Sequence, residues 1–423
     1  MDKPKLKGVT DIFSYLKDYS SLVIPIVILI VGVVFLILGS LGSKKLNAEI
    51  EGNSIGKLGK TIQSLKKSAV PAKQVDVERK FQDAFEKEAT ELSKKAIETT
   101  QRELLSYEMF PEPKDISTFI FQDFGNKYRE AVLDLVHRVD ARDCPTPIEI
   151  DNELEISGGK SMVSKTIRSS KTDIKETIID ALCVSKADSA SVYVTPENIN
   201  GYLYFEKFEF PDKDRAIEDC WYWQNGYWII EDVFDSIKAI NQGSESIDSS
   251  KVKRLLGINF DSGKSKNFGR SRRGSKSVAV DSRPSYVMDK DTAMTYMCTG
   301  RVCNEDYDIV HFSVEVIISA EAIPEFMKVL CSAKEHKFRG FDGKGEEQSF
   351  VHNQITVLEN SIIPVDRKDK ENELYRYGQA PIFRLSLICE YLFNKAGYEQ
   401  IKPQKVKDYL LNHEGEKGKK KKK

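Results

Sequence analysis

The sequence has no excess of either charge and few cysteines. Its 423 residues include 64 Lys and Arg against 65 Asp and Glu, so no overall field attracts nucleic acid and no nucleic-acid partner is expected. Seven cysteines scattered over this length do not make a disulfide framework, and an odd number leaves at least one thiol unpaired. The sequence also lacks an Asn-x-Ser/Thr site for N-glycosylation, which weakly disfavours a secreted glycoprotein.

Common motifs of catalytic and metal sites are missing too. The five histidines show no His-Glu-x-x-His spacing. The segment 257–265 is similar to a phosphate-binding P-loop, but five residues instead of four separate its glycines, and no good helix start follows. Cys298 and Cys303 do not make a four-ligand zinc site, and whether they are bridged stays open. No catalytic residue, metal or cofactor is predicted, and the chain is interpreted as not an enzyme.

One long stretch has no charged residue. Nothing between Asp18 and Lys44 carries a charge, and the segment 22–38 reads LVIPIVILIVGVVFLIL. Because about 20 apolar residues in a helix cross the hydrocarbon core of a bilayer, a transmembrane helix is predicted at 22–41 behind a short tail at 1–21. The predicted membrane-anchoring residues are Leu22, Val23, Ile24, Ile26, Val27, Ile28, Leu29, Ile30, Val31, Val33, Val34, Phe35, Leu36, Ile37 and Leu38.

A cleaved signal peptide and a buried core helix are the alternatives to this anchor. The apolar run is longer than the roughly 7–15 residues of a signal peptide, and the GSLGS that follows matches a cleavage site only loosely. Four lysines precede the run and four follow it, so charge does not decide the orientation. A short tail before a long domain favours a bacterial inner membrane, with the N-terminus cytoplasmic and the C-terminal domain periplasmic.

Helical patterns continue beyond the span. Residues 44–109 are predicted to form a helical stalk, which ends before Pro111. The alternation of apolar and charged residues favours a short coiled coil, which pairs the chain as a homodimer or as a heterodimer with a paralogue. A helix lying on its own domain is the alternative, because fewer than four clean heptads are present. The predicted stalk contacts are Phe81, Phe85 and Leu92.

The region 110–210 is predicted to be an intermediate subdomain of mixed structure. Its hydrophobic patterns and its Pro- and Ser-rich breaks set the bounds of the elements. We expect helices at 115–142 and 173–187, a loop at 157–171, and short strands at 192–194 and 202–210.

The C-terminal region 211–400 repeats one pattern. Each unit, 214–318 and 320–393, has a helix followed by two alternating strands. Two such units predict a four-stranded antiparallel sheet with both helices on one face, a ferredoxin-like α+β architecture. Within each unit a polar insertion separates the two strands. These insertions are 261–306 and 364–381.

Two segments are strongly basic. Arg270–Lys276 reads RSRRGSK, and the tail 401–423 ends in GKKKKK. Both are interpreted as solvated segments, with contact to an anionic surface as the alternative. The tail is predicted to be disordered.

This organisation resembles the inner-membrane alignment proteins of type IV pili and type II secretion systems, the PilO-like and GspM-like family. The resemblance is carried by the span at 22–38, the helical stretch 75–105 and the units 214–318 and 320–393. The segments YWQNGYWIIEDVFDSIKAIN and FRLSLICEYLFNKAGYEQI also look like planctomycete membrane proteins of the same plan. The chain departs from the family in its greater length, with 110–210 added.

The resemblance implies a non-enzymatic, single-pass scaffold of an envelope-spanning machine. Its implied partners are the membrane, envelope proteins, and a second copy or paralogue bound through the stalk and the ferredoxin-like domain. The alternative is a membrane-tethered ligand-binding or sensory module, which a deep and mainly apolar pocket would favour. A third interpretation, an anchored enzyme, would be favoured by a buried acid–base pair with perturbed pKa values in a cleft.

Overall fold

The chain is a mixed helix-and-sheet protein that divides into two compact units. The computed structural model describes residues 20–52, 55–68, 72–98, 100–114, 117–159, 170–210, 212–260, 283–352 and 354–411. It is 50% helical and 18% strand, which confirms the mixed class. The two units are Met1–Ala89 and Thr90–Lys423.

The first unit is helical throughout its described residues. Helix α1 spans Ser20–Gly52, α2 spans Ile55–Ser68, and α3 spans Ala72–Glu98 and so runs past the end of the unit. Within α1 the stretch Ile28–Asn47 is 20 residues long and none of it is buried. Its length and composition fit a membrane anchor or a signal sequence.

The stalk helix ends earlier than its sequence predicts. Helix α3 stops at Glu98, and residues 100–114 contain no helix. Leu104, Met109 and Phe110 in this segment are buried in the core of the second unit. The predicted stalk boundary at 109 is therefore wrong, because these hydrophobic side chains pack onto the domain.

A six-stranded sheet organises the second unit. The strands are β1 (Ala141–Arg142), β2 (Val192–Tyr193), β3 (Val252–Asn259), β4 (Tyr307–Ser319), β5 (Lys334–Phe338), β6 (Gln348–His352), β7 (Ile355–Pro364) and β8 (Ile382–Asn394). The sheet order is β1-β2-β3-β4-β8-β7, and β5 and β6 pair separately as a hairpin. Neighbours from β1 to β3 are parallel, whereas β3, β4, β8 and β7 pair antiparallel.

One long helix fills the centre of this unit. The helices are α4 (Thr118–Arg138), α5 (Pro147–Gly159), α6 (Ser170–Asp188), α7 (Tyr202–Glu206), α8 (Lys213–Ile240), α9 (Ile323–Leu330) and α10 (Lys395–Tyr398). Asp212 caps the start of α8, and its side chain accepts a hydrogen bond from the Arg215 amide at 3.0 Å. Trp221, Trp223 and Trp228 on α8 are each at most 1% exposed, so α8 is buried around most of its circumference.

The region 110–210 is not a separate subdomain. Its strands β1 and β2 extend the main sheet, and its helix α4 packs on α8 in the same core. Residues 202–206 form helix α7 where a strand is predicted. Gly201 precedes α7 with φ +93°, and an added Cβ there would lie 2.5 Å from the Tyr128 hydroxyl. This tight turn bends the chain away from an extended path.

The start of the predicted tail is folded. Residues 404–411 are helical, and Ile401, Val406 and Leu410 are buried in the core. The Lys402 ammonium, 1% exposed, donates to the buried Asp308 carboxylate. Disorder is therefore the wrong prediction for 401–411, while 412–423 lie outside the described residues, as does the basic segment Arg270–Lys276.

Truncation tests the contribution of this C-terminal helix. A chain ending at residue 400 should lose on the order of 5 kcal/mol of unfolding free energy, because it loses three buried aliphatic side chains and the Lys402 ion pair of the buried Asp308, which keeps only Lys395 at 3.8 Å. A chain ending at Leu411 keeps these contacts and should unfold like the full protein. Urea unfolding followed by circular dichroism measures both, and equal midpoints for the two truncations would contradict the packing described.

Candidate functional site

The predicted membrane-anchoring residues lie on α1. From Ile28 to Leu38 every described side chain is exposed, and Phe35 and Leu36 are among the most open. A continuous apolar surface of this kind is what a helix presents to lipid.

The predicted stalk contacts share one side of α3. Phe81, Phe85 and Leu92 follow each other at steps of four and seven, which repeat on one face of a helix. Their side chains are between 68% and 74% exposed. The helix therefore carries an apolar side that the described chain leaves open.

A third feature, which the sequence did not indicate, is a charged cleft of about 620 Å³ in the second unit. Segment 102–105, the ends of α4 and α8, and strand β5 line it. Its lining includes Arg102, Glu103, Arg138, Glu231, Asp235, Lys238, Glu335, His336 and Lys337.

A buried ionic network lies beside the cleft. The Arg102 side chain is 1% exposed, and its Nη2 donates to Glu231 Oε2 at 2.6 Å. Its Nη1 donates to the Tyr391 hydroxyl at 2.8 Å and lies 3.0 Å from Asp232 Oδ1. Tyr391 in turn donates to Asp232 Oδ2 at 2.8 Å. The network joins segment 100–114, α8 and β8.

The surroundings fix the charge of Asp232 and of its neighbour Tyr391. Burial raises the pKa of Asp232, but Arg102 and then His336 outweigh it and hold that pKa well below its usual range. Burial raises the pKa of Tyr391 well above its usual value. Asp232 is therefore a carboxylate and Tyr391 a neutral hydrogen-bond donor.

The β5–β6 hairpin adds two histidines. Its register places His336 opposite Phe350 and His352 opposite Lys334, so both histidines lie on one face. Their rings stack with centroids 4.5 Å apart. His336 Nε2 lies 2.9 Å from Asp232 Oδ1. His352 is 7% exposed, neither ring nitrogen has a hydrogen-bond partner among the described residues, and burial lowers its pKa to about 3.

Asp232, His336 and His352 together offer a possible ligand set for a metal. Their ligand atoms lie within 4.8 Å of one another, and two imidazoles with one carboxylate are ligands that zinc accepts. Without a metal, Arg102 already lies 3.0 Å from Asp232 Oδ1 and 2.6 Å from Glu231 Oε2. A divalent cation would add charge next to the Arg102 guanidinium. The Arg102 guanidinium therefore disfavours a metal at this set of ligands.

Chemically, the buried Asp232 carboxylate lies beside His336, whose imidazole lines the cleft. An ionised Asp232 next to His336 is an arrangement that orients a general base. The described lining contains no serine, threonine or cysteine to act as a nucleophile. Cys298 and Cys303 lie elsewhere as free thiols, Cys298 exposed and Cys303 buried, which answers the question of a bridge between them.

Sequence reasoning missed this network because its members are far apart in the chain. Strand β5 reads KEHKF, and no apolar alternation marks it as a strand. The available signal was Asp232 itself, an acidic residue within the hydrophobic helix α8.

Acid should destabilise the second unit through His352. The pKa of His352 is about 3 in the folded chain and 6.5 in an ordinary histidine. Below pH 6.5 this histidine is therefore protonated in the unfolded chain but stays neutral in the folded chain. Stability therefore falls as the pH is lowered, by on the order of 2 kcal/mol from pH 7 to 5 for this one residue. Urea unfolding measures this effect in the wild type and in His352→Gln. The free energy of unfolding should depend less steeply on pH in the variant than in the wild type. His137→Gln, at an exposed ring, is the control, and equal slopes in wild type and His352→Gln would contradict the burial effect.

Comparisons with known proteins give no further lead. No protein-family model, no curated protein and no solved structure matches the chain.

Proposed function

We propose that this chain is a non-enzymatic, single-pass scaffold of a bacterial envelope machine of the type IV pilus or type II secretion kind. One helix holds it in the inner membrane, with the N-terminus cytoplasmic and the folded unit periplasmic. The observation that carries the proposal is the apolar side of α3, where Phe81, Phe85 and Leu92 are between 68% and 74% exposed. An open surface of this kind indicates a missing partner.

Helix α1 supports retention in the membrane. The GSLGS at 39–43, the loose match to a cleavage site, lies inside the helix, whereas proteases favour exposed loops. The helix also continues to Gly52 without a break. These features favour an anchor over a leader that is removed.

The composition of α3 supports a protein partner. Each aromatic or aliphatic side chain of this side that a partner buries would contribute about 1.5–3 kcal/mol to the free energy of association. The rest of α3 mixes acidic and basic residues, and Lys94 lies 3.7 Å from Glu98 one turn away. Mixed charges beside an apolar stripe are typical of helices that pair with each other. A second copy or a paralogue is the partner that we propose.

The sheet supports the ferredoxin-like part of the proposal. The antiparallel order β3-β4-β8-β7 with α8 and α9 in one core is what two α-β-β units are expected to form. Strand β7 lies at the edge of the sheet, where Ile362 and Ile363 are exposed. An open edge offers backbone hydrogen bonds to a partner strand, so β7 is a second proposed contact.

One observation favours a different function, acid–base catalysis in the cleft. The Asp232–His336 pair is buried, its carboxylate has a perturbed pKa, and His336 lines the cleft. Against it, Arg102 already neutralises Asp232. A ligand-binding or sensory role has less support, because the cleft is lined mainly by charged side chains instead of apolar ones.

Replacing Phe85 and Leu92 by Asp tests the scaffold. The wild-type chain in mild detergent should be a dimer, and Phe85→Asp with Leu92→Asp should weaken the dimer roughly a hundredfold, because each change places a charge in an apolar contact. Light scattering coupled to size exclusion over a range of concentrations measures this dissociation.

The matched control places two aspartates elsewhere on the same helix. Thr90→Asp with Ser93→Asp adds the same charge away from the apolar side and should leave the dimer intact. A wild-type chain that is monomeric at every concentration, or a control that dissociates equally, would count against pairing through α3.

A further inference from the structure

Helix α2 separates apolar from basic residues. Leu58, Ile62 and Leu65 follow each other at steps of four and three, and their side chains are 51%, 61% and 62% exposed. At 3.6 residues per turn these positions fall within an arc of about 60°. Lys60 lies on the opposite side, and Lys57 and Lys66 lie between the two faces.

The charge of α2 differs from that of α3. Helix α2 reads IGKLGKTIQSLKKS, with four lysines and no acidic residue, whereas α3 carries both signs. Pairing α2 with a second copy of itself would bring two sets of lysines together, and like charges repel. A partner that accepts both the apolar face and the lysines is an anionic phospholipid surface.

The position of α2 after the apolar helix fits this surface. The 20 residues of Ile28–Asn47 cover about 30 Å, the thickness of the hydrocarbon core. Helix α1 then continues to Gly52, which adds about 7.5 Å and reaches the headgroup layer. Because α2 is attached there, the anchor holds it next to the lipid at a high effective concentration. A few apolar side chains are then enough to keep α2 on the bilayer surface.

We propose that α2 lies along the bilayer surface, with Leu58, Ile62 and Leu65 among the upper acyl chains and its lysines against anionic phosphates. This inference rests on the membrane anchoring proposed above. The lysines between the two faces are long enough to reach the phosphates while the apolar side chains stay inserted. The helix thereby sets the direction in which α3 leaves the membrane.

Tryptophan quenching by lipid tests this position. Full-length protein carrying Ile62→Trp is reconstituted into vesicles of phosphatidylcholine and phosphatidylglycerol whose chains carry bromine or nitroxide quenchers. Ser64→Trp, on the polar side of α2, is the matched control. The native Trp221, Trp223 and Trp228 are buried in the second unit and supply a constant background. Quenching of the added tryptophan should be roughly twofold stronger at 62 than at 64.

Charge is tested in the same assay. The excess quenching at 62 should fall when phosphatidylglycerol is omitted and when Lys60→Glu and Lys66→Glu are introduced, since both remove the attraction to anionic lipid. Equal quenching at 62 and 64, in protein that stays in the vesicles after a carbonate wash, overturns the surface position and leaves the anchor standing. Release by carbonate overturns the anchor and this inference together. Strong protection of the tryptophan introduced by Ile62→Trp, without lipid quenching, would assign α2 to a protein partner and overturn the proposal.

Discussion

The buried guanidinium of Arg102 is the interaction on which the organisation of the second unit depends. It lies on a segment without regular structure, and it reaches the Glu231 and Asp232 carboxylates of α8 and the Tyr391 hydroxyl on β8. A buried charge is tolerated only when it is paired and hydrogen-bonded, so the segment, the central helix and the strand have to be in place together. His336 brings the β5–β6 hairpin to the same carboxylate. Arg102 and the carboxylates that it pairs with thus hold four parts of the chain together.

The two units carry different kinds of open surface. In the first, the exposed side chains are apolar on α1, apolar and basic on α2, and apolar between mixed charges on the first part of α3. In the second, the hydrophobic residues are mostly inside, and the open features are a charged cleft and the edge strand β7. The surface of α1 suits lipid chains, that of α2 suits lipid headgroups, and that of α3 suits a protein partner. This graded change is the physical basis of the scaffold that we propose.

Sequence patterns predicted the helices and strands in which hydrophobic residues repeat at one constant spacing. The sequence pattern predicts a helix at about 214–241 and strands at 308–318 and 382–393. Helix α8 and the long strands β4 and β8 lie close to these bounds, because their apolar residues repeat over many turns or pleats. Strand β3 shows the limit. The alternation of Leu256, Ile258 and Phe260 predicts one inward face, but the register shifts between Leu255 and Gly257, and Leu255 joins Ile258 in the core.

The missed features depend on contacts between distant residues. The polar hairpin β5–β6 has no pattern of its own and is placed by its histidines against Asp232. Residues 401–411 have a basic composition that is typical of a solvated tail. Lys402 nevertheless forms an ion pair with Asp308, which lies far from it in the sequence on β4. The cleft and its network could not be predicted for the same reason, since Arg102, Asp232, His336 and Tyr391 belong to four separate stretches of chain.

The way the end of α3 joins the second unit determines how a mechanical load would enter that unit. Just after the helix, the Thr100 carbonyl accepts from Tyr398, the Glu103 carbonyl accepts from Trp228, and the Leu105 amide donates to Gln224. Tension along the last turns of α3 is therefore passed to these three hydrogen bonds and to the Arg102 ion pairs. A chain joined in this way passes a pull on its helix to the central helix and the sheet together.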